Sequence, residues 1–245
     1  MSESTQSVTR TKLKEAVGQK LGVSRTVGDW SATTASDVDR IIASGLRSVY
    51  SPMIRSKNPN APLESYVWSF LRKQLSISVT SLTNAFDLPD DFGGVLDRDE
   101  YGQQVLGFSE SKDWPLIIVE PWRVTEKIQA GTTPPSGITQ PLIASIEPKT
   151  FTASTGQRWQ LRVWPTIASG TLTVVGQYHS IPDLISSDSN YPQGNALNAE
   201  TILEAVLAAA EEYQNDQSSF HRSRFQQLLE AAIDADRKLH TPVAA

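Results

Sequence analysis

The chain has 245 residues and a net charge of −5, with 39% hydrophobic, 8% aromatic and 20% charged residues, a composition typical of a folded protein rather than a disordered one. It has no cysteine, which excludes disulfides, thiolate metal sites and cysteine nucleophiles. The N-terminus is polar and no apolar run is long enough for a membrane helix, so we expect a soluble chain without a secretory signal or a membrane partner.

Charge is unevenly distributed along the chain. Residues 1–75 carry eleven Lys and Arg against six Asp and Glu, whereas residues 87–120 carry nine acidic against two basic residues. The sequence has no dense basic stripe of the kind that grips duplex DNA. The asymmetry indicates that different parts of the molecule face different partners, although ordinary solvated faces explain any single segment as well.

The first segment, residues 1–74, predicts helices. Apolar residues at three- and four-residue spacing predict an amphipathic helix that begins at Ser36 as its N-cap and ends before Pro52. A second helix is predicted over residues 61–74, with Trp68 on its buried side. Glycines weaken a third pattern, over Thr9–Leu21, which still predicts a short helix.

The middle segment, residues 75–185, has the two-residue period of half-buried strands. The alternation is clear in LSISVT (75–80), RWQLRVW (158–164) and GTLTVVGQYHSI (170–181). We interpret the segment as an antiparallel β module of four to six strands, with an aromatic core supplied by Trp114, Trp122, Trp159 and Trp164.

The third segment, residues 186–245, returns to a helical pattern. One helix begins at Asn198 as its N-cap, and a second runs from Phe220 to Leu239, so that the two form an antiparallel hairpin. Helices at both ends of the chain with strands between them predict an α+β fold. We expect a helical bundle from the N- and C-terminal helices with an inserted antiparallel β module.

An acidic stretch, FDLPDDFGGVLDRDEYG (86–102), holds six acidic residues against Arg98 alone. A calcium loop that starts at Asp97 would need an oxygen ligand where Tyr101 stands and a glutamate where Phe108 stands, so the metal motif fails. A pair of catalytic carboxylates is an open alternative. The simpler interpretation is an exposed acidic loop that includes Asp90, Asp91, Asp97, Asp99 and Glu100.

Motifs for catalysis or cofactor binding are missing from the sequence. It has no phosphate-binding loop, nucleophile elbow, dinucleotide fingerprint or zinc-protease motif, and its three histidines stand far apart. Arg158, Trp159, Arg162 and Trp164 alternate as on a single-strand binding face, but a strand with one packed and one wet face gives the same pattern. We therefore expect no enzyme, no cofactor and no metal site.

Read together, three stretches resemble the head-to-tail adaptor (connector or neck) proteins of tailed bacteriophages. They are LPDDF (88–92), RWQLRVWP (158–165) and LTVVGQYHSIPDLISSDSNYP (172–192), and the resemblance extends over residues 30–240. It implies a structural virion protein that forms a dodecameric ring below the portal, extends the DNA channel and provides the surface for tail attachment.

The resemblance also implies partners and a location. The partners are the portal protein, a tail or nozzle protein and other copies of the chain on the portal, with DNA passing transiently and without sequence-specific binding. The location is the virion neck, after assembly in the host cytoplasm. The acidic loop would line the channel or face the tail, and the portal would contact the C-terminal residues His240, Thr241, Pro242, Val243, Ala244 and Ala245.

Two other functions fit the same residues. One is another structural protein of the neck or of tail completion. The other is a carboxylate-dependent hydrolase that would use the acids of residues 87–100.

Overall fold

The computed structural model of the protein describes residues 3–54, 64–110, 114–131, 139–194, 196–215 and 219–240. In these ranges the helices are α1 (Arg10–Lys20), α2 (Ala32–Tyr50), α3 (Pro121–Gln129), α4 (Ala199–Tyr213) and α5 (Phe220–His240). The strands are β1 (Met53–Ile54), β2 (Glu64–Ser65), β3 (Arg72–Thr80), β4 (Ala85–Asp87), β5 (Phe92–Val95), β6 (Val105–Phe108), β7 (Leu116–Ile118), β8 (Ile143–Pro148), β9 (Trp159–Trp164) and β10 (Thr171–Ser180). None of these helices is both long enough and apolar enough to cross a membrane.

The chain forms two units, and the predicted α+β class is confirmed. The helical unit consists of Met1–Leu71 and Pro182–Ala245, and the sheet unit consists of Arg72–Ile181. Each unit has its own cluster of buried apolar side chains.

The first two helices follow from their apolar spacing. Helix α1 is present where the weak pattern over Thr9–Leu21 predicted a short helix. The Thr9 side chain accepts a hydrogen bond from the Lys12 backbone N–H and caps it. In α2 the predicted apolar stripe is buried, but the helix starts earlier than predicted. Its cap is Ser31, which accepts from the Thr34 backbone N–H at 3.1 Å, so Ser36 lies inside the helix.

The prediction of a helix over residues 61–74 is wrong. The described part of this segment contains β2, a short 3₁₀ turn and the beginning of β3. Trp68 is fully buried, and its indole N–H donates to the Val49 backbone carbonyl at 2.7 Å. The Ser69 backbone N–H donates to the Asp236 carboxylate at 3.0 Å. The bond to Asp236 satisfies a backbone N–H that a helix would have satisfied locally, and the bond to Val49 fixes the Trp68 ring, so tertiary contacts override the local pattern.

The C-terminal helices are present as predicted, but α5 is much more exposed than its apolar pattern suggested. Among its described side chains Ile233 alone is buried, while Phe220 is 60% and Leu239 is 66% exposed. Asn198 also differs from the prediction. Its side chain does not cap α4 and donates instead to the Gly194 carbonyl at 2.6 Å.

The described part of the sheet unit contains eight strands rather than the predicted four to six. Seven of them follow the order β3-β10-β6-β7-β8-β9-β4, and β5 pairs with β10. The described pairings are antiparallel except for β7 with β8, which are parallel. Parallel strands need a crossover connection, and α3, which the pattern missed, lies between β7 and β8 in the chain. Pro121 at its first turn is the sequence signal for this helix.

The predicted aromatic core of the sheet unit is wrong. Trp114 and Trp122 are 64% and 60% exposed, and Trp159 is also exposed. The core is mainly aliphatic, and its fully buried side chains include Val79, Leu116, Leu161, Val163 and Val174. Alternation along a strand separates its two faces but does not show which face is inside.

Candidate functional site

Two buried carboxylates fix the start of α5. Glu211, which is 2% exposed, accepts hydrogen bonds from the backbone N–H groups of His221 and Arg222 at 3.1 and 3.2 Å. Glu204, which is 3% exposed, lies 2.7 Å from Nδ1 of His221. The first turn of a helix has unpaired N–H groups and a partial positive charge, and a carboxylate there stabilises it.

Cationic side chains complete this network. The Arg224 guanidinium lies 2.6 Å from Glu200 and 3.3 Å from Glu204, and the Lys20 ammonium lies 3.5 Å from Glu211. The network thus joins α1, α4 and α5. We did not predict these residues from the sequence, although Glu204 and Glu211, seven residues apart, fall on one face of α4.

The other end of α5 is held by Asp236. Its carboxylate accepts hydrogen bonds from the Tyr66 hydroxyl at 2.7 Å and from the Ser69 backbone N–H at 3.0 Å. The Arg237 guanidinium lies over the Tyr66 ring, 5.4 Å from its centroid. Such charge-assisted bonds are stronger than neutral ones, so both ends of α5 are anchored.

Open grooves flank α5 between these anchors. A cavity of about 320 Å³ next to α4 is lined by the apolar side chains of Phe70, Leu197, Leu228 and Leu239, among others. A cavity of about 770 Å³ on another side is lined partly by Met53, Ile54, Phe225 and Leu229. The smaller groove is mainly apolar, whereas the larger one also has polar and charged side chains such as Gln226, Glu230 and Arg237. A fixed helix with a mainly apolar groove beside it is typical of a surface that receives another helix or chain.

The predicted portal-contact residues begin with His240, the last residue of α5. His240 is the last described residue and closes the helix, but its side chain lies outside the described part of the structure. Thr241, Pro242, Val243, Ala244 and Ala245 also lie outside the described residues.

The acidic stretch does not form one exposed loop. Strand β5 occupies its middle, between Asp91 and Asp97. Asp90 and Glu100 are exposed, and Asp90 forms an ion pair with Arg158 at 2.8 Å. Within the described residues, no group of three or more His, Asp or Glu side chains is placed to hold a metal ion.

Two more of these carboxylates shape the backbone. Asp97 accepts a hydrogen bond from the Gln177 backbone N–H at 2.8 Å. Asp99 accepts from the N–H groups of Tyr101 and Gln103 at 2.9 and 2.8 Å and closes a turn. Asp97 and Asp99 therefore have a structural role, because their carboxylates hold the backbone of the sheet unit in place.

Asp91, which we expected to stay in water, is instead largely shielded. It accepts hydrogen bonds from the Lys73 ammonium at 2.6 Å and the Tyr178 hydroxyl at 2.9 Å. Burial alone would raise the pKa of Asp91, but these two hydrogen bonds and the charge of Lys73 lower it below its ordinary value. Burial, together with the neighbouring Asp91 carboxylate, raises the pKa of Tyr178 to about 12.

We expect Asp91→Asn to lower the free energy of unfolding at neutral pH by about 1 kcal/mol, because it removes a charged hydrogen-bonding group that is only partly exposed. The pKa of Asp91 is lower in the folded than in the unfolded state. Its stabilisation is therefore present in full above the unfolded-state pKa of about 4 and is lost progressively as the pH falls from there through the lower folded-state pKa. Urea denaturation at pH 7 and at pH 3 measures both effects.

Asp90→Asn is the matched control, because Asp90 is the adjacent carboxylate and its side chain is 80% exposed. It should change the free energy of unfolding by less than about 0.5 kcal/mol. Equal effects of the two substitutions, or a loss from Asp91→Asn that is as large at pH 3 as at pH 7, would contradict the assigned role of Asp91.

Comparison with known proteins gives one family. The family model described as SU10 adaptor protein matches residues 8–245, which include all the described helices and strands. No curated protein matches the chain. Because the match extends over nearly the whole chain, the protein belongs to the SU10 adaptor protein family of phage adaptor proteins.

Proposed function

We propose that the protein is a non-enzymatic structural adaptor at the virion neck. In this proposal its copies form a ring below the portal that extends the DNA channel and presents the surface to which the tail attaches. Membership of the SU10 adaptor family, over residues 8–245, is the observation that carries the proposal. The ring, with dodecameric stoichiometry, would assemble in the host cytoplasm on the portal.

The helical unit supports a role in portal binding. Helix α5 is fixed by carboxylates near both ends, while apolar residues along it stay partly exposed beside open grooves. We propose that the helices of this unit form the bundle of the adaptor. Residues 240–245 would contact the portal, and the grooves beside α5 would take part in contacts with the portal or with neighbouring copies.

The acidic stretch supports only a limited electrostatic role. Asp87, Asp90 and Glu100 are its exposed carboxylates, and those of Asp90 and Glu100 would repel DNA that passes through the channel or face the tail. Asp91, Asp97 and Asp99 are already engaged in hydrogen bonds within the sheet unit. We propose that DNA passes without sequence-specific binding.

Truncation after Leu239 tests the portal contact. The shortened chain should keep its helical circular dichroism, because α5 remains anchored by Glu211 and Asp236. Its binding to purified portal rings in a pull-down should fall by about tenfold or more if residues 240–245 contribute anchor residues to the contact. Replacing residues 240–245 with six Gly and Ser residues is the control for chain length and should lose binding equally.

Normal binding of the truncated chain to portal rings would overturn the proposed contact between residues 240–245 and the portal. Failure of the full chain to bind portal rings, and its absence from purified particles, would overturn the proposed adaptor function and favour another neck or tail-completion role.

A further inference from the structure

Strand pairing brings a turn and the start of α3 together in the sheet unit. Val105 of β6 pairs with Ile117 of β7, and the Ile118 backbone N–H donates to the Gln104 carbonyl at 2.9 Å. The turn before β6 therefore lies beside the segment that leads from β7 into α3. A cavity of about 630 Å³ opens between them, and we call it the turn–helix groove. It is lined by residues of the segments 98–104 and 118–123 and by Ile146.

The floor of the turn–helix groove is apolar and its walls are polar. Ile118 and Ile146 are partly buried and pack against the core of the sheet unit. The walls carry two guanidinium groups, two amides and one carboxylate, contributed by Arg98, Gln103, Gln104, Glu120 and Arg123. Pockets for small ligands commonly have volumes of about 300–1,000 Å³ and combine an apolar lining with a few polar groups, as this groove does.

The polar side chains of the walls have unused hydrogen-bonding capacity. Arg98 gives one of its five N–H donors to the Gly102 carbonyl, at 2.7 Å. Arg123 lies over the Trp122 ring, 5.4 Å from its centroid. Among the described residues, neither guanidinium forms an ion pair with a carboxylate. Glu120 stands at the N-cap of α3, but its side chain does not cap the helix. Hydrogen-bond donors and an acceptor thus line the same space.

Two exposed aromatic rings stand at the rim of the groove. Tyr101 is 82% and Trp122 is 60% exposed, and each is the chain neighbour of residues that line the groove. The turn that carries Tyr101 is fixed, because Asp99 accepts hydrogen bonds from the N–H groups of Tyr101 and Gln103 at 2.9 and 2.8 Å. Rings that are so exposed gain little from folding of the sheet unit, so their apolar surface is available to a ligand.

We propose that the turn–helix groove binds a neutral saccharide of a bacterial surface glycan, with Trp122 and Tyr101 against the sugar rings. A pyranose ring has apolar C–H groups on its faces and hydroxyl groups around its rim. Its faces suit an aromatic ring, and its hydroxyls both donate and accept, so they match the guanidinium groups and the Glu120 carboxylate. Bacterial surface glycans are the saccharides that a phage particle meets. Glycan binding would be an activity additional to the proposed adaptor function.

Nucleic acid fits the groove less well. A phosphate backbone is bound by an excess of positive charge. The segments 98–104 and 118–123 carry two basic residues, Arg98 and Arg123, against three acidic ones, Asp99, Glu100 and Glu120. The same balance disfavours an acidic glycan, so the ligand is a neutral one.

A microarray of purified bacterial surface oligosaccharides, probed with the labelled full chain, tests the proposal. We expect binding to neutral hexose or N-acetylhexosamine chains, and isothermal titration calorimetry with the oligosaccharide that binds best gives the Kd. Trp122→Ala should weaken this binding about tenfold or more, and Arg123→Ala should weaken it as well. Trp114→Ala is the matched control, because Trp114 is 64% exposed but does not line the groove, and it should change the Kd less than about twofold.

The inference would be overturned if the chain bound no glycan on the array, if it bound acidic glycans only, or if Trp122→Ala and Trp114→Ala had equal effects. A mixed-sequence single-stranded DNA oligonucleotide that binds as tightly as the best oligosaccharide, and loses affinity in Trp122→Ala, would also overturn it. Binding to portal rings is measured separately in the pull-down. Loss of glycan binding would therefore leave the adaptor function standing, and failure to bind the portal would leave the saccharide site standing.

Discussion

Replacing Trp68 with alanine is expected to lower the free energy of unfolding of the helical unit by about 4 kcal/mol, because the substitution removes a fully buried aromatic side chain. The Trp68 ring packs edge-on against Tyr66 and stacks on Phe70, with ring centroids 5.2 and 5.3 Å apart. Its indole N–H also donates to the Val49 carbonyl at the end of α2. Alanine would leave a cavity and an unpaired carbonyl in the same place.

Two further variants separate these contributions. Trp68→Phe keeps an aromatic ring but removes the donor to Val49, and we expect it to cost about 1–3 kcal/mol. Trp122→Ala removes a tryptophan that is 60% exposed and lies against Arg123, and it should cost less than about 1 kcal/mol. Chemical denaturation followed by helical circular dichroism measures all three. If Trp68→Ala lowers the free energy of unfolding no more than Trp122→Ala does, the result would contradict the placement of Trp68 in the buried core of the helical unit.

Trp68 also shows why the segment 61–74 could not be predicted. The apolar residues of this segment fit a helical spacing, and alternating Tyr66, Trp68 and Phe70 fit a strand spacing equally well. The choice is made by groups far away in the sequence, the Val49 carbonyl and the Asp236 carboxylate. A local pattern contains no information about either.

Regular periodicity was sufficient to predict four of the five described helices and three of the longer strands. The three- and four-residue spacing predicts α1, α2, α4 and α5, and the two-residue spacing predicts β3, β9 and β10. Helix α3 was missed because it is only nine residues long and because its first two residues, Pro121 and Trp122, looked like the end of the apolar run that begins with β7.

The candidate surfaces were harder to predict than the fold. An apolar stripe on α5 indicates which side of a helix avoids water, but not whether this chain or a partner covers it. The acidic stretch was correctly located as rich in carboxylates, yet Asp91 acquires its partner Lys73 only when β3 and β10 bring Lys73 and Tyr178 together. A sequence shows which residues carry a charge. Only the folded structure shows which of these charges are paired within the protein and which are exposed to solvent.

Gly45 is the other position at which a small change should have a large effect. It lies in the buried face of α2, and a methyl group added there would stand 2.6 Å from the Val206 Cα and 2.8 Å from the Val206 backbone N of α4. Replacing a helical glycine with alanine usually stabilises a helix by about 0.5–1 kcal/mol. Here the added methyl group meets backbone atoms, which cannot rotate away, so α2 and α4 would have to separate.

We therefore expect Gly45→Ala to lower the free energy of unfolding by about 2 kcal/mol, since overpacking of a close helix contact outweighs the gain in helix propensity. Ser44→Ala is the matched control, because Ser44 is the preceding residue of α2 and is exposed. It should leave stability unchanged or raise it by a few tenths of a kcal/mol, about the difference in helix propensity. Thermal and urea denaturation of the two variants give the comparison. A Gly45→Ala protein as stable as Ser44→Ala would show that the two helices have room between them, and the close α2–α4 approach would have to be abandoned.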